Sequence, residues 1–491
     1  MTTEANHGPS IRRSTLINLL GALIPAALLL VTVPLYLHRI GEARYGVLAL
    51  VWLLLGYFGV FDLGFGRAVA NRIATLHDAS AEKRQDIFWT GLVISLSTGL
   101  IGGVALYFLG DWLFAQVFHV PTSLRGEAEA ALPWLILALP LATTISLLAG
   151  ALEGRQAFLS MTSAQVAGTI LYQVLPLTVA YAGWVTLPYL IPAAIAGRSV
   201  SAVLLFLFSY RQVPLAPRPR FAASQVRSLL HYGGWITVTG LVSPLLTVFD
   251  RFFIGAKLGM TAVAAYTIPY NLVSYLSILP GSLQTALFPR FAMLSQNQAQ
   301  SAAARAVLLL IAILTPAVVV ALLLVKPFLY LWIGSAVAQR AAPVGQILLL
   351  GIWINALAYV PFAYLQARGR PDLPAKFHVL ELLPYALVLW LLITQLGIVG
   401  AAWAWTLRVF ADALLLFWSA KTVSTLRRAV PASVLLLGVF AIAIEIPYRS
   451  FAYLGLGTVL VLGATGWSVA VLPTEVRAVI RRYVGHLALP W

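Results

Sequence analysis

The chain has 491 residues, of which 60% are hydrophobic and only 10% are charged, with a formal net charge of +16 and no cysteine. A soluble globular domain would carry about 25% charged residues, so this composition indicates a polytopic membrane protein. The lack of cysteine excludes disulfides and thiolate metal sites. An excess of basic residues on a membrane chain usually reports its orientation, so no nucleic-acid partner is expected.

Apolar runs of about 20 residues predict transmembrane helices, because that length crosses the bilayer core and lipid requires an internally bonded backbone. The first run follows the pair Arg12 and Arg13 but is too long for a signal peptide, so it predicts an uncleaved helix. The runs together predict fourteen spans: 14–37, 44–66, 87–110, 129–150, 157–183, 187–210, 231–256, 262–288, 303–333, 342–366, 375–397, 400–420, 429–447 and 451–473.

The even number of spans places both termini on one side of the membrane, and the basic residues indicate which side. With the termini in the cytoplasm, lysines and arginines in the inner loops exceed those in the outer loops by about three to one, as the positive-inside rule predicts. A span missed in mid-chain would have reversed the sides of all later loops. The same asymmetry therefore supports the number of spans.

The loops are short, and the longest inner one divides the chain. Residues 211–230 are rich in proline and arginine and predict a cytoplasmic linker with an interfacial amphipathic piece. The predicted organisation is an N-terminal lobe, this linker, a C-terminal lobe, two further spans and a cytoplasmic tail that lies on the membrane surface. The corresponding boundaries are 1–210, 211–230, 231–425, 426–473 and 474–491.

Charged residues within the predicted spans are candidates for function, because a charge at the bilayer centre costs about 2.5 to 3.5 kcal/mol on insertion scales. Arg198 has no acid within one turn, which favours a cavity-facing, ligand-binding role. Arg408 has Asp412 one turn further on, close enough for a pair on one face, which is either structural or part of a lumen. Other charged residues in the spans are Glu381, a possible partner of either arginine or a proton carrier, and the adjacent Asp250 and Arg251.

Uncharged polar residues form stripes on two of the predicted spans. Their helical spacing places each set on one face, where they form either hydrogen bonds between helices or the wall of a hydrated lumen suited to sugars. The fifth span carries Gln165, Thr169, Tyr172 and Gln173, and the eighth carries Tyr266, Tyr270, Asn271, Ser274 and Tyr275.

The sequence contains no pattern typical of an enzyme. The histidines are scattered without metal-ligand spacing, and no glycine-rich phosphate loop occurs, so neither a cofactor nor a metal is expected. A membrane glycosyltransferase or polymerase would need catalytic carboxylates in a large outer loop, and the longest predicted outer loop, 111–130, has few. The segment GALEG, residues 150–154, matches a pattern of close helix packing.

Two stretches resemble a known family of transporters. RYGVLALVWLLLGYFGVFDLGFGRAVANRIA (44–74) and FDRFFIGAKLGMTAVAAYTIPYNLVSYLSILPGSLQTALFPRF (249–291) are similar to the polysaccharide transporter family, the Wzx-type flippases for lipid-linked oligosaccharides. That family belongs to the multidrug/oligosaccharidyl-lipid/polysaccharide exporter superfamily. The resemblance implies an all-α fold of two pseudo-symmetric six-helix lobes plus two C-terminal helices.

The resemblance also implies a function and partners. It implies alternating access in the bacterial inner membrane, with an undecaprenyl-diphosphate-linked repeat unit of O-antigen (a lipopolysaccharide component), capsule or exopolysaccharide as substrate. A polysaccharide polymerase and a chain-length regulator are the protein partners that would follow. The first span, 14–37, has no acid or base, which argues against both the cation-coupled drug exporters and the lipid II flippases of the superfamily. A cation-coupled small-molecule exporter on the same fold remains the alternative.

The chemistry of a diphosphate guides the choice of candidate site residues, because arginine binds phosphate oxygens in a bidentate manner. The predicted cationic lumen contains Arg198, Arg251 and Arg408, with Arg39 and Arg290 near its two mouths. The other predicted substrate-binding residues are Gln165, Tyr172, Gln173, Tyr270 and Asn271, and the candidates for coupling or gating are Asp62, Asp250, Glu381 and Asp412.

Overall fold

A computed structural model of the chain describes most of its predicted spans. The described residues are 11–57, 66, 69–70, 72–73, 80–112, 116–117, 120–155, 157–213, 220–222, 246 and 248–472. The regular elements in this part of the chain are all helical. The residues form two compact units, Met1–Ala264 and Ala265–Trp491.

Five helices are long in the described part of the first unit. The long helices are α1 (Ile11–Tyr57), α2 (Ala81–Trp112), α3 (Thr122–Gly154), α4 (Phe158–Tyr181) and α5 (Leu187–Gln212). Residues 248–258 are also helical. A buried core between α2, α3 and α5 includes Phe88, Leu148 and Leu205, whereas Ile101 and Phe108 of α2 are exposed. Exposed apolar side chains on a membrane helix are suited to contact with lipid.

The second unit begins within α6 (Met260–Ser274), which continues through a 3-10 turn (Tyr275–Ser277) into α7 (Ile278–Met293). It then contains α8 (Gln296–Ile333), α9 (Ser335–Ala367), α10 (Asp372–Ser419), the short α11 (Val423–Leu426), α12 (Val430–Glu445) and α13 (Phe451–Val471). Helix α9 packs against α7, α8 and α10, and it is the most buried helix of the unit.

Two of the long helices each consist of two predicted spans joined at a glycine. In α1, Gly41 has φ 77° and ψ 165°, and in α10, Gly397 has φ 60° and ψ −139°. Both lie in the left-handed half of backbone space, which L-residues with a Cβ rarely adopt. The glycines break the helices between predicted spans 14–37 and 44–66 and between 375–397 and 400–420. The sequence therefore located both turns.

The remaining predicted spans correspond to helices wherever the chain is described. Eight helices in this part of the chain are long and apolar enough to cross a membrane, and α10 alone is 48 residues long. The part of the chain that the structure describes is thus all-α and multi-pass, in agreement with the about fourteen spans that the bilayer thickness predicts for the sequence. Asp62, most of the predicted linker and seventh span, and the tail 474–491 lie outside the described residues.

Helices α4 and α5 are in close contact because small residues face each other. A Cβ added to Gly197 of α5 would lie 2.5 Å from the backbone nitrogen of Tyr172 in α4. A Cβ added to Gly168 of α4 would lie 2.3 Å from the Cβ of Ser201 in α5. Small residues let backbones approach closely in membrane helices, and here they bring residue 198 next to residue 172.

Candidate functional site

A cavity of about 410 Å³ lies within the first unit and is lined by Arg198, the predicted ligand-binding arginine. Gln165 of α4 and Glu153 of α3 share its wall with Arg198. Its size is within the range of small-molecule sites, about 300 to 1,000 Å³. The apolar and small residues that complete the wall are Gly66, Ala138, Leu141, Ala142, Ile145, Ser146, Ala149, Gly150, Met161 and Ile195.

The guanidinium group of Arg198 stacks on an aromatic ring. Its Cζ lies 4.7 Å from the centroid of the Tyr172 ring, which is buried. Among the described residues, no carboxylate forms an ion pair with Arg198. A cation–π contact of this kind uses the charge of the guanidinium group and forms no hydrogen bond with its N–H groups. Among the described residues, Arg198 is therefore held by the ring and has no carboxylate partner, so its N–H groups can bind an anion.

Tyr172 is itself supported by an aromatic cluster from α1. Its ring lies 5.8 Å from the ring of Trp52, which contacts Tyr36 at 5.3 Å and Tyr45 at 6.1 Å. Tyr36 and Tyr45 are fully buried, so the cluster is rigidly packed. The break at Gly41 turns α1 back on itself, which allows Tyr36 and Tyr45 to meet on one side.

The polar stripe of α4 is divided among three environments. Gln165 lines the cavity, Tyr172 supports Arg198, and Gln173 bonds to α1. The side-chain Oε1 of Gln173 accepts a hydrogen bond from Thr32 Oγ1 at 3.2 Å, and its backbone carbonyl accepts one from the Tyr36 hydroxyl. The Thr169 hydroxyl donates to the backbone of Gln165 in its own helix. The stripe thus contains one residue that lines a cavity and another that bonds to a neighbouring helix.

Two arginines near the predicted outer ends of helices make defined contacts. Arg39 is exposed, and its Nε donates to the Ala180 carbonyl at 2.9 Å. Arg44 forms a bidentate pair with Glu127, with distances of 3.0 Å from Nε to Oε2 and 2.6 Å from Nη2 to Oε1. Oε2 of Glu127 also accepts from the Leu187 backbone N–H at 3.2 Å. Burial raises the pKa of Glu127, but the bonds from Arg44 and Leu187 lower it more, so its pKa lies below the ordinary value.

Asp250 and Arg251 are adjacent and fully buried. Oδ1 of Asp250 accepts from Nη1 of Arg251 at 2.8 Å and from its backbone N–H at 2.7 Å. A buried guanidinium group needs a compensating carboxylate, and here Asp250 and Arg251 compensate each other's charge.

In the second unit, four ionisable side chains of α10 meet across the break at Gly397. Arg408 Nε lies 3.3 Å from Glu381 Oε2, and His378 Nε2 lies 3.9 Å from Asp412 Oδ1. Arg408 is therefore paired with Glu381 and not with Asp412, which is its neighbour on the same helical segment. The turn at Gly397 makes the longer-range pair possible, because it brings the two halves of α10 side by side.

The remaining predicted residues lie elsewhere in the second unit. The ring of Tyr270 lies 6.2 Å from that of Tyr266 and 5.8 Å from that of Trp405. The backbone carbonyl of Asn271 accepts a hydrogen bond from Ser274 Oγ, and Arg290 is exposed in the last turn of α7. These residues do not line the cavity of Arg198.

Sequence reasoning missed two residues that the structure places at these sites. Glu153 lies in GALEG, a pattern that predicts close helix packing. That prediction is confirmed, since a Cβ on Gly150 would lie 2.1 Å from the Gly66 carbonyl oxygen, but Glu153 also faces the cavity. His378 was grouped with the scattered histidines. His378 is three residues before Glu381, and this spacing places the two side chains on one face of a helix.

Comparisons with known proteins agree on family and fold. Residues 39–339 match the family model described as "Polysaccharide biosynthesis protein". The chain is 27% identical over 416 residues to a Shigella flexneri protein described as "Putative O-antigen transporter", covering 83% of this chain and 97% of that protein.

Two solved structures show the fold. The lipid II flippase MurJ in an inward closed conformation matches with a TM-score of 0.72 at 12% identity, covering 94% of this chain and 99% of that one. An inward-facing multidrug resistance MATE family transporter of the MOP superfamily matches with a TM-score of 0.68 at 16% identity, covering 83% and 99%. These relatives are transporters and flippases and not enzymes. The chain accordingly belongs to the polysaccharide biosynthesis protein family, as a Wzx-type polysaccharide transporter.

Proposed function

We propose that this chain translocates an undecaprenyl-diphosphate-linked oligosaccharide across the bacterial inner membrane by alternating access. The glycan is the repeat unit of O-antigen, capsule or exopolysaccharide, and both termini lie in the cytoplasm. The family match and the O-antigen transporter relative support the class of substrate. The division at the predicted linker, with lobes 1–210 and 231–425, is part of the same proposal.

One observation carries this proposal: Arg198 lines a cavity, lies over the Tyr172 ring and forms no ion pair with any described residue. A diphosphate that leaves the headgroup layer needs its negative charge compensated, and arginine provides a bidentate fork for phosphate oxygens. Arg251 and Arg408 are already paired with Asp250 and Glu381, so we assign the primary anion site to Arg198. We place Gln165 at the sugar hydroxyls.

Glu153 adds polarity to the same cavity. Its carboxylate repels a diphosphate and accepts hydrogen bonds from sugar hydroxyls. With Arg198 and Glu153 both in the wall, the cavity favours one orientation of a ligand that carries phosphate at one end and sugar at the other.

The proposal is tested by deleting the gene and identifying what accumulates. We expect the lipid-linked repeat unit to accumulate on the cytoplasmic face and surface polysaccharide to disappear, with the wild-type gene restoring it. Arg198→Ala should fail to restore polysaccharide at normal membrane abundance. Arg305→Ala, which removes an exposed arginine of α8, is the matched control and should restore it.

Two results would contradict the proposal. Full polysaccharide export by Arg198→Ala would remove Arg198 from the site. Unchanged polysaccharide in the deletion strain, together with increased sensitivity to small toxic cations, would instead favour the cation-coupled exporter.

A further inference from the structure

The cluster of His378, Glu381, Arg408 and Asp412 in α10 contains more acid than base. The side chains of Arg408, Glu381 and Asp412 are 9%, 7% and 6% exposed, and that of His378 is 12% exposed. The charged groups that act on Glu381 are Asp412 and Arg408, and those that act on Asp412 are His378, Arg408 and Glu381. From α9, the uncharged ring of Phe362 stacks on His378 at 6.4 Å.

A count of charges shows that this cluster is one positive charge short. Two ionised carboxylates face one guanidinium group, which leaves a net negative charge when His378 is neutral. Burying an uncompensated charge in a membrane helix bundle is costly, and buried carboxyl groups usually bind a proton instead. Two carboxyl groups that share a site do not both ionise readily, because the second charge repels the first.

The hydrogen bonding in the cluster also lacks a donor. Both carboxylate oxygens of Glu381 and Oδ1 of Asp412 are buried without a hydrogen-bond donor in the described structure. Nε of Arg408 lies 3.3 Å from Glu381 Oε2 but does not form a hydrogen bond. A proton on one carboxyl group supplies a donor to the other, so the same proton corrects both the charge and the hydrogen bonding.

A metal ion does not meet this need. In the part of the chain that the structure describes, no group of three or more histidine, cysteine, aspartate or glutamate side chains is arranged to hold a metal. The guanidinium group of Arg408 already lies against Glu381, where a bound cation would be repelled.

We propose that Glu381 and Asp412 share one exchangeable proton, with Arg408 as the fixed counter-charge, and that this is a proton-binding site of the transporter. The proton is taken from water by one carboxylate and returned to water when the site is next hydrated. His378, the most exposed of the four, is the connection to water. Because the two carboxyl groups lie on either side of Gly397, gain or loss of the proton changes the force between the two halves of α10. A role in driving transport rests on the proposed function, but the binding of the proton does not.

Proton binding is tested on the purified protein by infrared spectroscopy. The full chain is reconstituted in vesicles of phosphatidylethanolamine and phosphatidylglycerol, and the C=O stretch of a protonated carboxyl group is followed from about pH 5 to pH 9. We expect such a band at neutral pH, shifted in D₂O and lost both in Glu381→Gln and in Asp412→Asn. Asp372→Asn is the control, because Asp372 is an exposed carboxylate paired with Arg370 and Lys376 and should not affect the band.

Three results would overturn the proposal: no such band at any pH, a band that both substitutions leave intact, or a band that appears only when sodium is replaced by choline. The two substitutions are separate tests, so a variant that fails to fold in detergent leaves the other one informative.

Complementation of the deletion strain separates this proposal from the proposed function. If the band is present but the wild-type gene does not restore polysaccharide, the proton site stands and the proposed function fails. If polysaccharide is restored but the band is absent, the proposed function stands and the proton site fails. If the band is present and both variants export at the wild-type rate, the proton has no part in transport.

Discussion

Replacing Tyr172 tests whether its ring positions Arg198 for the substrate. The Cζ of Arg198 lies 4.7 Å from the ring centroid, and Tyr172 is 6% exposed, so the contact is desolvated. A desolvated cation–π contact contributes about 2 kcal/mol. Loss of that amount lowers the population of correctly placed Arg198 by up to about 30-fold relative to its other rotamers. Tyr172→Leu should therefore reduce the export rate, by up to about 30-fold.

The ring and the hydroxyl of Tyr172 have different expected roles. The hydroxyl is buried without a hydrogen-bond partner in the described structure, and such a group costs about 1 to 3 kcal/mol. Tyr172→Phe keeps the ring and removes this cost, so we expect wild-type export and equal or higher thermal stability. Trp52→Leu is the control for a general loss of aromatic packing. It removes a ring that packs on Tyr172 at 5.8 Å but keeps the Tyr172 ring under Arg198.

The assay is the rate at which surface polysaccharide appears after the gene is induced in the deletion strain. Membrane abundance is measured in parallel, and thermal stability is measured by size-exclusion chromatography of the detergent-solubilised protein. Full export by Tyr172→Leu at normal abundance would refute the positioning role. So would a loss of export in Tyr172→Phe as large as that in Tyr172→Leu.

Two further predictions concern the helix contacts that hold this site. Gly197→Ala places a Cβ 2.5 Å from the Tyr172 backbone nitrogen, so α4 and α5 must separate, at a cost of about 1 to 3 kcal/mol. Both the melting temperature and the export rate should fall, whereas the control Gly438→Ala, with open space around it, should change neither. An unchanged melting temperature and export rate in Gly197→Ala would contradict the close contact. Glu127 has a lowered pKa, so its pairing stabilises the fold above the ordinary pKa of a glutamate, and this contribution is lost as the pH falls through the folded-state value. Glu127→Gln should lower the melting temperature at neutral pH by an amount equivalent to about 1 kcal/mol; the difference should vanish in acid, and a difference that persists there would refute the electrostatic account.

The sequence predicted the membrane architecture because the bilayer imposes a simple length rule. An apolar run of about 20 residues has few alternatives to a helix in lipid, and two of the breaks between runs coincide with the glycines Gly41 and Gly397. The sequence predicted the positions of the turns at Gly41 and Gly397. It did not predict which side chains meet around them. The same rule singled out Arg198, Glu381, Arg408 and Asp412, because charged residues are conspicuous within an apolar run.

The sequence by itself determined which polar residues enter the membrane and which share a helical face, and only the tertiary structure decided what each of them contacts. Helical spacing relates residues of one segment, so it suggested the pair of Arg408 with Asp412. The turn at Gly397 instead brings Glu381 to Arg408. In the same way, Gln165 and Gln173 lie on one polar stripe of α4, but α3 and α5 surround the first with a cavity and α1 bonds to the second. The packing of separate helices decides between a cavity and an interhelical bond. That packing depends on close contacts such as Gly197 of α5 with Tyr172 of α4, which the spacing of polar residues along one helix does not reveal.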